Sequence, residues 1–432
     1  MEITSGSSSP KIKWATLLII STAYIAVMAN IQGFKALFPL VQDDFGISRA
    51  QAGLYTSFYF LSATLVAIFS GYVVDLLGAK KGLIIGVVTV GLLMILHSLA
   101  PFFSVILIFA FFTGVGFSLI TPSVNKGVLE HVQPGKRAFS MGITHGGGGF
   151  GGFFGAAVLP YLGVTLGWRA VLLYTGIFAI FIALFLFKFY HDNPCSQQKE
   201  ENVQEKSFSI KGDLFFLLKK RYLISVCLMG TVFGMTISSI TTHYTLYLNQ
   251  DVGFAPETAG LSLAIFMIGG IVGQPSWGLV NDNILGSNRR KGLLILGILV
   301  SFSTIFFGLF VGRMISAFYL VTFLSFILGF FTFGIPGVFF TAIGEMVSSS
   351  YTGIATGLAL IFTRLGVVVT PPLFGYLADI RGSYSFSWIL LGIITLIISL
   401  TFFYLSAKYG KRRTTDWYDC TVEKAAHESW RG

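Results

Sequence analysis

An arginine stands in the middle of a long apolar run, ALIFTRLGVVV, residues 359–369. Arg364 has no acidic residue within a dozen positions, and a guanidinium cannot lose its charge. At the centre of a spanning helix that charge costs about 2.5–3.5 kcal/mol on the insertion scale. Two readings would offset it. The planar fork could hold a carboxylate, phosphate or sulfonate, or it could bond the backbone carbonyls of a broken helix. Tyr24, Met28, Gln32 and Lys35 fall on one stripe of the first apolar run, which marks a wet face rather than a lipid face. Lys35 comes late in that run, so it either lines a cavity or snorkels to the headgroups. Thr236, Ser239, His243 and Tyr247 form a comparable stripe on the seventh run. His243 there is either a ligand or proton site or a packing histidine with its nitrogens satisfied. The substrate-binding candidates are therefore Arg364, Lys35, Gln32, Tyr24, His243, Tyr247 and Ser239.

The remaining polar groups suit other roles. TPSVNKGVLEH closes the fourth run and spaces Lys126 and Glu130 for an i,i+4 pair. His145 opens the fifth run, where it either lines a cavity or bonds across helices. The seven glycines from Gly146 to Gly155 need no chemistry, because small residues allow close, slidable helix contact. If transport is coupled to protons, the titrating group is among His243, His145 and Glu130. No Asp or Glu stands near the middle of any apolar run, so a central cavity would be positive and would favour an anion.

The elements that must position these groups follow from composition. The 432 residues are 54% hydrophobic and 11% charged, with mean hydropathy +0.77. A soluble chain carries about 25% charged residues, so this is a multi-pass membrane protein. Its net charge of +10 does not indicate nucleic acid, because the basic residues sit in short loops between apolar runs. Three scattered cysteines make neither a disulfide framework nor a metal site. No nucleophile–base pair or nucleotide loop is present, and GGGGFGG lies inside a span, so the chain is read as not an enzyme and as needing no cofactor. Apolar runs begin at about residues 14, 52, 82, 103, 138, 168, 222, 258, 292, 316, 352 and 385, which predicts an all-α protein of about twelve spans.

The expected organisation is a first bundle over 1–190, a linker over 191–220, a second bundle over 221–408 and a tail over 409–432. The end of the linker, FSIKGDLFFLLKK, could form an interfacial amphipathic helix. Twenty-one Lys and Arg fall at the N-terminus, in even loops and just after the last span, against four in odd loops. Both termini are therefore expected to be cytoplasmic. The first span is read as retained, not as a cleaved signal.

The chain repeats itself. QDDFGISRAQAGL (42–54) and NQDVGFAPETAGL (249–261) align at an offset of 207, pairing Asp44 with Asp251, Gly46 with Gly253 and Gly53 with Gly260. Gly71 and Asp75 match Gly278 and Asp282 at the same offset. The loop GYVVDLLGAKKG carries Gly71, Asp75, Gly78, Lys80 and Lys81 and resembles the signature loop of the major facilitator superfamily. Leu76 and Ala79 stand where that family usually has arginines. Physically, Gly71 permits close helix approach, Gly78 turns the chain, and Asp75 can cap a helix or pair with a base. A third echo, GYLADIRG, keeps Gly375, Asp379 and Gly382 at the opposite side, as nested inverted repeats predict. Thr370-Pro371-Pro372 is expected to kink or end the eleventh span.

The resemblance covers about residues 14–408. It implies two pseudo-symmetric six-helix bundles around a central cavity that opens alternately to each side. The first-span cation and NKGVLEHVQPGKRAFSMGI are similar to the organic-anion branch, the anion:cation symporters and the sugar-phosphate and hexuronate carriers. There the first-span cation is commonly an arginine one turn earlier relative to the following proline, here Pro39. The resemblance thus implies a secondary transporter of a small organic anion, by proton symport or anion exchange, in the cell inner membrane. The alternatives are an efflux carrier for amphipathic drugs or metabolites and, more remotely, a transport-dead sensor. Expected partners are a small anionic solute, the lipid bilayer and protons, with no nucleic acid, and the chain is expected to act as a monomer.

Overall fold

A backbone in lipid finds no water for its N–H and C=O groups, so an apolar chain of this length must pair them within helices. A computed structural model describes residues 14–132, 137–191, 220–346 and 352–410. Its helices are α1 (Trp14–Ala36), α2 (Phe38–Phe45), α3 (Arg49–Leu65), α4 (Ala67–Leu77), α5 (Ala79–Ser98), α6 (Phe103–His131), α7 (Arg137–Leu166) and α8 (Trp168–Phe189). They continue with α9 (Arg221–Gln250), α10 (Pro256–Leu279), α11 (Arg289–Phe310), α12 (Phe318–Thr332), α13 (Gly334–Met346), α14 (Thr352–Arg381) and α15 (Ser385–Gly410). Among the described residues no strand forms; Val311 and Ile315 make one isolated bridge. The predicted linker and tail lie almost wholly outside the described residues.

Eleven elements are long and apolar enough to cross a membrane, and a bent pair makes a twelfth. In that pair Arg49–Leu65 and Phe69–Leu77 meet at 60°. The twelve spans form two six-helix bundles, α1 to α8 and α9 to α15. They meet where α3 packs on α14, α7 on α10 and α1 on α9.

The repeat seen in the sequence has a structural counterpart. Gly46, the C-cap of α2, and Gly253, two residues beyond the Asp251 C-cap of α9, both adopt left-handed backbone, φ +62° and +84°. The Asp44 carboxylate accepts from the Arg169 guanidinium at 2.8 Å and the Trp168 indole at 3.3 Å. The Asp251 carboxylate accepts from the Ser383 hydroxyl at 2.7 Å and the Tyr384 amide at 2.6 Å. Each aspartate thus ties the loop after the first span of its bundle to the start of the last.

Proline sets local geometry in a way the sequence reading does not foresee. The eleventh span neither ends nor breaks at Pro371 and Pro372, since α14 runs through both. Two helical N–H donors are nonetheless missing there. Pro372 leaves the Val368 carbonyl without its helical partner, and that oxygen accepts from the Ser57 hydroxyl of α3. The break between α1 and α2 follows the same rule. Pro39 cannot donate to the Lys35 carbonyl, which instead accepts from the Thr245 hydroxyl of α9 at 3.3 Å.

Candidate functional site

Both cations singled out by the sequence reach the same helix. The Lys35 Nζ lies 5.5 Å from the ring centroid of Phe60, and the Arg364 Nη1 donates to the Thr64 Oγ1 at 3.0 Å. Phe60 and Thr64 are one turn apart on α3. The Thr64 hydroxyl donates back to the Phe60 carbonyl at 2.6 Å, which leaves its lone pairs for the guanidinium. Among the described residues neither Lys35 nor Arg364 makes an ion pair. Lys35 is only 2% exposed and its Nζ donates to the Thr241 Oγ1 at 3.4 Å, so it does not snorkel. Its charge is turned toward the second bundle, where Thr241 stands on α9. Arg364 is half-buried and, among the described residues, bonds no carbonyl of its own helix; its partner is a hydroxyl from the other bundle.

Tyr24, Gln32, Asn125 and His145 gather on the first bundle. The His145 Nε2 and Asn125 Oδ1 are 2.9 Å apart, and the His145 ring meets Tyr24 edge-on at 5.6 Å. Glycine in α7 makes the grouping possible. A Cβ at Gly148 would lie 2.5 Å from the Tyr24 ring, and one at Gly155 would lie 2.3 Å from the Ala29 carbonyl. The Gln32 Oε1 and the hydroxyls of Tyr55 and Tyr59 are buried without a hydrogen-bond partner among the described residues. These are polar groups that a bound solute could satisfy.

The α9 stripe divides. Thr241, Thr242 and Thr245 face the first bundle, with Thr242 2.7 Å from the Thr56 hydroxyl. His243 and Tyr247 turn the other way. The His243 Nε2 is 2.8 Å from the Pro371 carbonyl, its Nδ1 is 3.3 Å from the Tyr384 hydroxyl, and its ring stacks on Phe374 at 5.4 Å. The Tyr247 hydroxyl bonds the carbonyls of Phe307 at 3.0 Å and Val311 at 2.8 Å. Both are fully buried ties within the second bundle, and the structure does not bring them to Lys35. The Ser239 Oγ is buried with no partner among the described residues.

One end of the bundle pair is closed. The Arg49 guanidinium donates to the Gln250 side chain and the Ala378 carbonyl, each at 2.8 Å, and pairs with Asp251 at 3.6 Å. The Asp379 carboxylate caps α3 by accepting from the amides of Arg49 and Ala50, both at 2.9 Å. The repeat-matched glycines fill this seam. A Cβ at Gly53 would lie 2.5 Å from the Pro371 backbone, and one at Gly260 would lie 2.5 Å from the Pro160 ring.

The other end carries its ion pairs within single bundles. Lys126 pairs with Asp75 at 3.6 Å, and Arg289 bonds both Asp282 and Glu345. Lys126 thus reaches α4 in addition to any pairing along its own helix. Gly78 turns the chain at φ +86°, and Lys80 lies over the Phe187 ring at 5.3 Å. Gly71 and Gly278 do not mediate close helix contact in this state, since a Cβ at either would meet nothing within 4 Å. Glu130 and Lys81 sit at the same end, on α6 and α5.

Sequence reading missed Thr64, Phe60, Ser57, Thr241 and Thr245. The signal available was SSITTHYT, five hydroxyl residues besides a tyrosine in eight positions of an apolar helix, too many for packing alone.

The model of the Major Facilitator Superfamily matches residues 20–246 and 226–417. The chain is 25% identical over 394 residues to the hexuronate transporter of Bacillus subtilis, covering 89% of this chain and 93% of that protein. It is 23% identical over 399 residues to a probable sulfoacetate transporter of Cupriavidus necator, covering 89% and 91%. Among solved structures it resembles an inward-facing, unoccupied bacterial homologue of the human lysosomal transporter Spinster. That likeness has TM-score 0.79 at 16% identity and covers 93% of this chain and 98% of the other.

Proposed function

The chain belongs to the Major Facilitator Superfamily, and from that premise we propose that it is a secondary carrier that moves a small organic anion by alternating access. The observation that carries the reading is the pair Lys35 and Arg364, one from each bundle, meeting α3 without a carboxylate partner among the described residues. A buried cation costs free energy until an anion neutralises it. Similarity to transporters named for hexuronate and sulfoacetate supports an organic anion. The excess of Lys and Arg at the Arg289 side supports a cytoplasmic face there, so the closed Arg49 end faces outward and the cavity opens inward. The driving reaction is proton symport or anion exchange.

Uptake into proteoliposomes of carboxylates, sulfonates and phosphate esters tests this. Saturable uptake of at least one class is expected, with Arg364→Ala reducing it by about tenfold or more, the equivalent of about 1.4 kcal/mol. Wild-type uptake by Arg364→Ala would sink the clamp, and no uptake of any anion would sink the carrier reading.

A further inference from the structure

We infer that the solute is a dianion with its two charges at separate ends, one held by Lys35 and the other by Arg364. This rests on the carrier reading above and narrows its substrate class. The argument is one of charge and distance. Lys35 and Arg364 bring two positive charges to neighbouring turns of α3, through Phe60 and Thr64. Every Asp and Glu among the described residues lies near or beyond an end of a span: Asp75, Glu130, Asp282 and Glu345 at one side, Asp43, Asp44, Asp251, Glu257 and Asp379 at the other. Arg49, at the closed end, is already engaged by Asp251 and Gln250. A monoanion would leave the cavity with one unneutralised cation, whereas a dianion leaves none.

The spacing decides how the charges are distributed on the solute. Phe60 and Thr64 are separated by about 5.4 Å of helix rise on one face of α3, and Lys35 reaches that face from α1 while Arg364 reaches it from α14. Charge-assisted contacts span about 2.7–2.9 Å, and a short chain with an anionic group at each end makes one such contact with each head. The Gln32 Oε1, on the same stripe of α1 as Lys35 and buried without a partner among the described residues, is an acceptor for a hydroxyl on its middle.

The two charges also come from opposite bundles, Lys35 on α1 and Arg364 on α14. A dianion therefore bridges the bundles, and a solute with one charge engages one of them.

The test is binding to the purified full chain in detergent, read by thermal shift and isothermal titration. Ligands are the α,ω-dicarboxylates from malonate to adipate, the half-amide of each, and inorganic phosphate. At least one dicarboxylate is expected to bind about tenfold or more tighter than its own half-amide. In Lys35→Gln and Arg364→Gln that ratio is expected to fall to about two or less, because each variant leaves a single cation. Three results would overturn the inference: half-amides binding as tightly as the dianions in the wild type, phosphate binding better than every dicarboxylate, or both variants keeping the wild-type ratio. The first two leave the anion-carrier reading standing. Failure of every anion, including those of the uptake panel, would remove both.

Discussion

Gly53 of α3 lies so close to Pro371 of α14 that a Cβ on it would sit 2.5 Å from the proline carbonyl carbon. Its repeat partner Gly260 meets Pro160 in the same way, and the pair closes one end of the carrier. Gly71 and Gly278, at the other end, face open space.

A valine at Gly53 should therefore wedge the seam at a cost of about 1–3 kcal/mol to this state. Gly71→Val should leave this state unchanged. The check is thiol labelling of Ala378→Cys, buried here, in a background lacking Cys195, Cys227 and Cys420. Labelling should rise with the first change and not with the second. Equal labelling in the two variants would refute the asymmetry.

Asp379 acts as a helix cap supplied from the other bundle. Losing a cap costs about 0.5–2 kcal/mol, so Asp379→Ala should raise the population open at the Arg49 end by about two- to thirtyfold. Asp379→Asn, which keeps one acceptor oxygen, should do so less. Spin-label distances across Gln250 and Ala50 would report the shift. An unaltered distance distribution in Asp379→Ala would show that the cap does not hold the gate.

His243 bonds within the second bundle through both ring nitrogens. His243→Ala should lower thermal stability, by about 1–3 kcal/mol for the buried partners left unsatisfied. The apparent affinity for solute should stay within about twofold of wild type, a difference of under 1 kcal/mol. A large affinity change at unaltered stability would return His243 to the solute site.

Ser57 and Thr245 each give one hydroxyl to the other bundle. Ser57→Ala and Thr245→Val should each weaken the closed end by about 0.5–1.5 kcal/mol. Their effects should add, because the two bonds share no partner. The Ala378→Cys labelling rate in the single and double variants measures both claims, and a double variant no worse than either single one would disprove independence.

Twelve apolar runs and a 207-residue offset were enough to read the architecture, because membrane spans are set by local composition. Asp44 and Asp251 were legible for the same reason: each acts on its own bundle in a repeated pattern. The site was only half legible. An uncompensated Arg364 is visible in one dimension, but whether Lys35 is wet or buried depends on Thr241, two hundred residues later. His243 and Thr242 are neighbours in sequence, and only the packed partners decide which of them faces the other bundle. The prolines at 371 and 372, expected to kink or end the span, do not end it, for a related reason. Their missing donors look like a helix end until a hydroxyl from α3 arrives to satisfy the freed carbonyl.

That last feature bears on how the seam can change over generations. At Val368 and Lys35 the acceptor is main chain, present whatever side chain stands there, and made available by Pro372 and Pro39. Substitution at the acceptor residues therefore cannot erase these bonds. The constraint these two bonds impose falls on the hydroxyls of Ser57 and Thr245 and on Pro372 and Pro39, and not on the side chains of the residues whose carbonyls accept.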